Sequence, residues 1–334
     1  MSKLKVFEAF AGYGSQSIAL RNIGIDYEVV AISEIDKYAI QAYEAIHGST
    51  LNLGDISKID VKDIPEHDLF TYSFPCQDLS VAGKQAGLVR GQTRSGLLYE
   101  CEKIIEYCKP KYLLMENVKN LVSKKFRPQF YEWLRYLKSL GYTNYPQVLN
   151  AKDYGVPQNR ERVFVVSILG EHKPYKFPEP IKLDKCIADI LEDDTNENFV
   201  DNVNLQMNKN TQPEILVDSN IKPSVRKNFE REKYDIAVSE KEIYQCKCES
   251  GWQDNQVGIK VTPTLRAGNS NTFVYCDYRI RKLTPRECFR LMGLKDDDID
   301  KIQQAGISNT QQYKMAGNSI VVDVLEAIFR NLFI

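Results

Sequence analysis

The strongest limit on how this chain can fold is a regular alternation of short apolar strands and helical segments along the first 170 residues. Residues 4–9 (LKVFEA) read as a buried strand, the small-residue loop AGYGS follows, and a helix is predicted near 16–23. Next come a strand over 27–33, an amphipathic helix over 36–47 and a strand over 68–73. After a long loop, 74–96, the pattern resumes with a helix near 97–108, a strand over 111–116, a helix near 128–140 and strands near 144–149 and 162–169. Alternation with short connections predicts an α/β fold: a doubly wound, mostly parallel sheet with helices on both faces. The pattern stops near residue 170, where 171–180 carries three prolines and 192–212 is polar. A second, smaller and less regular domain is therefore expected over 172–308, with 1–171 and 309–334 forming the first. The segment GNSIVVDVLEAIFRNLF is predicted to be a closing helix that packs back on that first domain.

Length and composition permit this division. The 334 residues suit one large domain or two unequal ones, and 43% hydrophobic with 27% charged residues is globular, not disordered. No apolar run approaches the roughly 20 residues that span a bilayer. The N-terminus runs from two lysines straight into a strand pattern, without a secretory signal, so a cytoplasmic protein is expected. The eight cysteines include no CxxC, and three histidines add little to the one CxC pair, Cys246 and Cys248. Neither a metal site nor a disulfide framework is expected, and most of these cysteines read as small core residues.

Five short motifs carry chemistry. FAGYGS at 10–15 lies between a strand and a helix, where Gly12 and Gly14 let the backbone turn tightly and approach a ligand. A dinucleotide fingerprint would need a third glycine at position 17, which is serine, so the loop alone is as readily a plain turn. Glu34 ends the second strand, where a carboxylate can accept from ribose hydroxyls, and Asp55 in GDI could accept from an adenine amine. Together these point to a nucleoside cofactor. SFPCQDLS at 73–80 puts Cys76 in a polar loop at the carboxyl edge of the sheet, where α/β active sites lie. Glu116 in ENV closes an apolar strand, and its partial desolvation should raise its proton affinity. Arg160 and Arg162 in QNRERVF alternate and so point to one face, next to the cysteine and glutamate; a solvated edge is the plainer alternative. GNS at 317–319 offers ordinary caps, yet falls at the mouth of the same sheet.

In their joint order, FAGYG, SEID, GDI, SFPCQ, ENV, QNRERVF, RKLTPRECFRLMGL and AGNSI resemble the DNA cytosine-5 methyltransferases of bacterial and phage restriction-modification systems. The resemblance covers about 1–170 and 279–334. It implies a Rossmann-like domain that binds S-adenosylmethionine and releases S-adenosylhomocysteine, with no metal. The cofactor residues it implies are Phe10, Gly12, Tyr13, Gly14, Ser15, Glu34, Ile35, Asp55, Ile56, Pro75, Leu97, Asn318 and Ser319. Ser15 stands where many members have glycine, and Ile35 where many carry an aromatic against the adenine. Cys76 becomes the nucleophile that adds to carbon 6 of a flipped cytosine, activated by Arg162 and loop amides. Glu116 holds or protonates ring nitrogen 3, and Arg160 and Arg162 complete the catalytic set.

The partner so implied is double-stranded DNA, met by a monomer, with a cognate restriction endonuclease encoded elsewhere and no membrane. The loop 77–96 is the natural lid: Gln77, Ser80 and Ser95 would contact the flipped backbone, and Lys84, Arg90 and Arg94 the phosphates. The stretch of about 171–272 would be the target-recognition region, with Gln253, Asn255, Gln256 and Arg266 reading bases. Its segment TPTLRAG, with Thr264, looks like the family's Thr-Leu element. A tRNA cytosine-5 methyltransferase with the same motif order, and a catalytically inactive DNA-binding regulator, are the competing readings. The net charge of -1 hides opposed blocks: residues 1–80 total -6, 81–170 total +8, 171–220 total -6 and 221–334 total +3. A basic cleft on an acidic body is expected.

Overall fold

A computed structural model describes residues 3–76, 78, 79, 87, 88, 94–192, 265 and 283–334, with the strand segments between 203 and 282 that are named below. Its centre is a six-stranded sheet built from β1 (Leu4–Ala9), β2 (Tyr27–Ser33), β3 (Leu69–Tyr72), β4 (Tyr112–Val118), β5 (Tyr142–Asn150) and, after the two-residue β6 (Gln158–Asn159), β7 (Glu161–Leu169). The strand order is β2-β1-β3-β4-β7-β5. Strands β2, β1, β3 and β4 pair in parallel, whereas β7 runs antiparallel between β4 and β5. The doubly wound, mostly parallel sheet predicted from the alternation is thus present.

Side chains alternate across the sheet with a period of two. Val6, Leu114, Phe164 and Val166 face one core, and Phe7, Phe70, Leu113, Met115 and Val165 face the other. The second core is closed by α3 (Leu98–Cys108) and α4 (Arg127–Ser139), through Cys101, Ile105, Phe130, Trp133 and Leu137. The first is closed by α1 (Ser15–Asn22) and four C-terminal helices: α5 (Pro285–Arg290), α6 (Asp296–Gln304), α7 (Asn309–Asn318) and α8 (Val322–Phe333). Helix α2 (Lys37–His47) starts where Asp36 accepts from the Tyr38 amide at 3.0 Å, and stops at Gly48, with φ +82°. Helix α5 starts on a capping box that the sequence TPRE encodes: Glu287 N donates to Thr284 Oγ1 at 3.2 Å, and Thr284 N to Glu287 Oε2 at 2.7 Å.

Two differences from the sequence reading matter for the site. The closing helix begins at Val322 rather than at the GNS motif, whose Gly317 and Asn318 end the separate helix α7. Also, Leu283, Phe289, Met292, Ile299 and Ile302 share the buried cluster of Ile18 and Leu20. The stretch 283–308 therefore packs with the first domain, although sequence reading groups it with the second. Its helices present apolar faces that pack on the α1 side of the sheet.

Between 203 and 282 the described strands are β8 (Val203–Gln206), β9 (Glu214–Val217), β10 (Asp235–Val238), β11 (Val257–Ile259), β12 (Thr262–Pro263), β13 (Thr272–Cys276) and β14 (Arg279–Lys282). Strands β11, β10, β13 and β14 form one sheet in that order, and β8 pairs with β9. Strand β12 pairs instead with β6, just before β7 of the six-stranded sheet. Among the described residues no helix is long and apolar enough to cross a membrane, and no cluster of metal-ligating side chains occurs.

Candidate active site

Strands β1, β2, β3 and β4 end on one edge of the sheet, and the chemistry-bearing motifs leave from those ends. Strand β1 runs into a turn with three left-handed residues: Phe10 at φ +55°, Gly12 at +60° and Gly14 at +83°. Phe10 N donates to Ser33 O at 2.8 Å, which ties the turn to the end of β2. A side chain at Gly14 would meet His47 Nε2 at 2.4 Å and the Tyr43 ring at 2.7 Å, so helix α2 closes this turn against any larger residue. A methyl added at Gly12 would have nothing within 4 Å, which leaves open space over the loop.

Glu34 organises the next turn. Its Oε2 accepts from Gly12 N at 2.9 Å, and its Oε1 from the Ile35 and Asp36 amides, each at 2.8 Å. Anchored by these three amides, the carboxylate is pre-oriented for hydroxyl donors. Ile35 is 73% exposed, an apolar face presented beside it. Asp55 caps a short turn by accepting from Ser57 N and Oγ, and those bonds hold its carboxyl below the usual range. These residues fit a nucleoside: two carboxylates for polar hydrogens, an exposed aliphatic face and an open glycine.

Cys76 follows β3 and is only partly exposed. Its carbonyl accepts from Leu79 N at 2.9 Å. Burial pushes its thiol above the ordinary range; the Glu116 charge adds to this, while Arg162 and Arg160 pull it back. Burial of the sulfur therefore acts against the activation by Arg162 that the resemblance implies. Glu116, in β4, is buried, and burial raises its carboxyl despite Arg162, Arg160 and a bond from Ser73. Arg162 Nε stands 3.2 Å from Glu116 Oε1.

Arg160 does something else. It is 3% exposed and sits between β6 and β7, not along one face with Arg162. Its Nη1 donates to Leu265 O at 3.0 Å, and its Nη2 to Gly317 O at 3.0 Å and Ser319 O at 2.7 Å. Burial lowers its proton affinity to about 9, and Arg162 adds to this. The guanidinium is committed to carbonyls rather than to an anion, so Arg160 contributes only charge at a distance to Cys76.

Other candidates also sort by geometry. Tyr13 packs its ring edge-on against Phe289 in the core, with the hydroxyl pushed up by burial to about 12, so only its backbone faces the turn. Ile56 is buried, Ser15 is buried at the start of α1, and Pro75 and Leu97 are half-buried or less exposed still. Ser95 does not face outward for DNA: it is buried, its Oγ donates to Pro75 O at 2.7 Å and its amide to Asp78 Oδ2 at 3.1 Å. It pins the loop behind Cys76 instead. Asn318 is exposed, while Ser319 Oγ turns back to Met315 O at 2.7 Å. Arg94 opens a helical turn of which only the backbone is described. Gln77, Ser80, Lys84, Arg90, Gln253, Asn255, Gln256, Thr264 and Arg266 lie outside the described residues.

Several supporting residues have no strong sequence signal. Asn117 Nδ2 donates to Phe74 O at 3.0 Å and Asn120 Nδ2 to Leu79 O at 2.6 Å, so the ends of β3 and β4 are stitched around Cys76. Asn52 Oδ1 accepts from Glu34 N at 3.1 Å and from Gly54 N at 3.0 Å. Gln158 Nε2 donates to Leu291 O at 2.8 Å, and its Oε1 accepts from Leu265 N at 3.4 Å. Of these, Asn117 lies inside ENV and Gln158 inside QNRERVF, motifs that drew attention to the charged residues beside them.

The model of the family described as C-5 cytosine-specific DNA methylase matches residues 4–333. The chain is 40% identical to the type II methyltransferase M2.ScrFI of Lactococcus lactis subsp. cremoris, over 99% of each chain. It is 35% identical to the type II methyltransferase M.NgoBI of Neisseria gonorrhoeae, over 97% of this chain and 91% of that one. Among solved structures it superposes on the Entamoeba histolytica methyltransferase EhMeth with a TM-score of 0.74 at 18% identity, covering 100% and 98% of the two chains. The structural likeness carries the fold alone.

Proposed function

The chain belongs to the C-5 cytosine-specific DNA methylase family and methylates carbon 5 of cytosine in DNA, and we propose that Cys76 carries this reaction covalently on a base turned out of the duplex. The observation that supports this best is the grouping of Cys76, Glu116 and Arg162 at the ends of β3, β4 and β7. The methyl donor read from the cofactor end is S-adenosylmethionine, which supplies an electrophilic methyl on a sulfonium. Gly12, Glu34, Ile35, Asp55 and Asn318 are the residues that would hold it.

Carbon 5 of cytosine is a weak nucleophile until a sulfur adds at carbon 6. The Cys76 Sγ–C6 bond forms as the ring gains a proton at N3, and carbon 5 becomes enamine-like. The raised thiol and the raised Glu116 fit this pairing. Net, one proton leaves Sγ and one arrives at N3, so the pocket never holds two uncompensated anions. Arg162 fixes Glu116 so that its carboxyl meets the ring edge. Carbon 5 would then take the methyl as the methyl's bond to the donor sulfur breaks, its hydrogen leaves to a water base, the Sγ–C6 bond breaks, and the N3 proton returns to the departing sulfur.

In the proposed division of labour, 1–171 with 283–334 holds cofactor and chemistry, and about 171–272 reads the duplex. A cytoplasmic, monomeric enzyme with a cognate endonuclease encoded elsewhere completes the proposal. The test is Cys76→Ala with labelled methyl donor: transfer to duplex DNA should vanish while cofactor affinity is unchanged. A duplex with 5-fluorocytosine should trap the wild type covalently, because fluorine blocks the final elimination. Turnover by the alanine variant would exclude Cys76 as nucleophile, and labelling of tRNA alone would exclude DNA as substrate.

A further inference from the structure

Arg160 joins two parts of the molecule that are far apart in sequence. On one side its Nη1 donates to Leu265 O, and on the other its Nη2 donates to Gly317 O and Ser319 O. Leu265 lies between Thr264 and Arg266, and Gly317 and Ser319 lie on either side of Asn318. The Leu265 segment is held to the same corner by further bonds: β12 pairs with β6, Thr262 N donates to Pro157 O at 2.8 Å, and Leu265 N to Gln158 Oε1 at 3.4 Å.

We infer that Arg160 is a positioning residue that couples DNA binding to cofactor binding, transmitting the placement of the chain around Leu265 to the chain around Asn318. The inference rests on the proposed reading, in which 264–266 meets the duplex and Asn318 the cofactor.

The physical argument starts from the buried cation. Arg160 makes no salt bridge among the described residues; the Glu116 charge acts on it only from a distance, and its hydrogen bonds go to carbonyls of the two segments. Among the described residues its Nε has no hydrogen-bond partner, so the two Nη groups carry its bonds to both segments. A shift of Leu265 that broke the Nη1 bond would leave a desolvated N–H, a state more costly than an exposed one. The guanidinium must therefore follow Leu265, and its rigid planar fork carries the carbonyls of 317 and 319 with it. A segment ordered by one ligand is then already placed for the other, and linkage requires the effect to be equal in both directions.

The test is a thermodynamic cycle on the full chain. S-adenosylhomocysteine is titrated by calorimetry with and without a duplex carrying the site that bisulfite mapping shows the wild type to methylate. The duplex should tighten cofactor-product binding by about fivefold or more in the wild type. In Arg160→Lys, which keeps the charge and loses the fork, that factor should fall to about one. A wild-type factor of one, or undiminished coupling in Arg160→Lys, overturns the inference. Hydrogen exchange on the wild type is independent of any variant's folding. Duplex alone should slow exchange of the amides at 317–320, and unchanged exchange there overturns the inference as well. Absence of any methylated site would instead remove the DNA reading on which it stands.

Discussion

Among single residues, the site is governed by desolvation more than by charge pairing. Cys76 and Glu116 are both pushed up by burial, and each is partly restored by the same two arginines. The sign for a Glu116→Gln variant follows directly. The Glu116 anion raises the Cys76 thiol, so a neutral amide in its place lowers it, and Arg162 loses a competing partner. Iodoacetamide labelling of the Cys76 peptide, followed by mass spectrometry against pH, should show a midpoint above the ordinary value of about 8.5 in the wild type. The midpoint should move down in Glu116→Gln. Turnover should move the other way, falling by roughly 10²–10⁴, because the group proposed to exchange a proton with N3 is gone. A midpoint that rises in the variant would show that Glu116 does not face the sulfur.

Among the elements, the turn after β1 sets what the cofactor can approach. Gly12 and Gly14 both have positive φ, but their surroundings differ. Gly12→Ala meets open space and should cost only the backbone strain, about 1 kcal/mol. Gly14→Ala drives a methyl into His47 and Tyr43, packed side chains of α2, and should cost about 3 kcal/mol or more with loss of cofactor binding. Urea unfolding of the two variants measures the difference; equal costs would mean that α2 does not close the turn. The capping box of α5 is a milder device of the same kind, and Thr284→Ala should cost about 1 kcal/mol in the same assay.

In the molecule as a whole, the centre of the sheet holds a buried carboxyl. Glu8 on β1 lies between Ile32 of β2 and Thr71 of β3, is fully buried, and accepts from Ser17 Oγ at 2.7 Å. Burial raises it from 4.5 to about 7, against bonds from Ser17 and Tyr43. A raised folded value means that this stability is fully present below the unfolded value and is lost as pH rises through the folded one. The loss should total on the order of 3 kcal/mol between about pH 4.5 and 7. Glu8→Gln should remove that slope from urea-unfolding curves measured across the window; an unchanged slope would place the titration elsewhere. The charge blocks act over the same distances. The +8 block of 81–170 contains Lys124, Lys125 and Arg127, all exposed beside the 119–122 turn that Asn120 ties to Leu79. Duplex affinity should fall at least roughly tenfold between about 0.05 and 0.2 M salt, and an affinity that ignores salt would refute a basic DNA-facing cleft.

The order of strands and helices through residue 170 and the residue types at the strand ends were legible in the sequence, because each depends on local periodicity or on residues a few positions apart. Cys76, Glu116 and Glu34 could be named for the same reason: they close or follow strands that the pattern reveals. What sequence could not supply was the direction of each side chain. Arg160 and Arg162 are two residues apart, yet one holds backbone carbonyls 105 and 157–159 residues away and the other pairs with Glu116. Ser95 and Tyr13 are ligand contacts in what the resemblance implies, and both are turned inward by packing. Those outcomes depend on which distant segments cover the sheet. Fold class and the residue chemistry at the strand ends were therefore set locally, by periodicity along the chain. Which of those residues act and which hold the others in place was settled only on assembly, by the free energy of burying polar groups against segments far away in sequence.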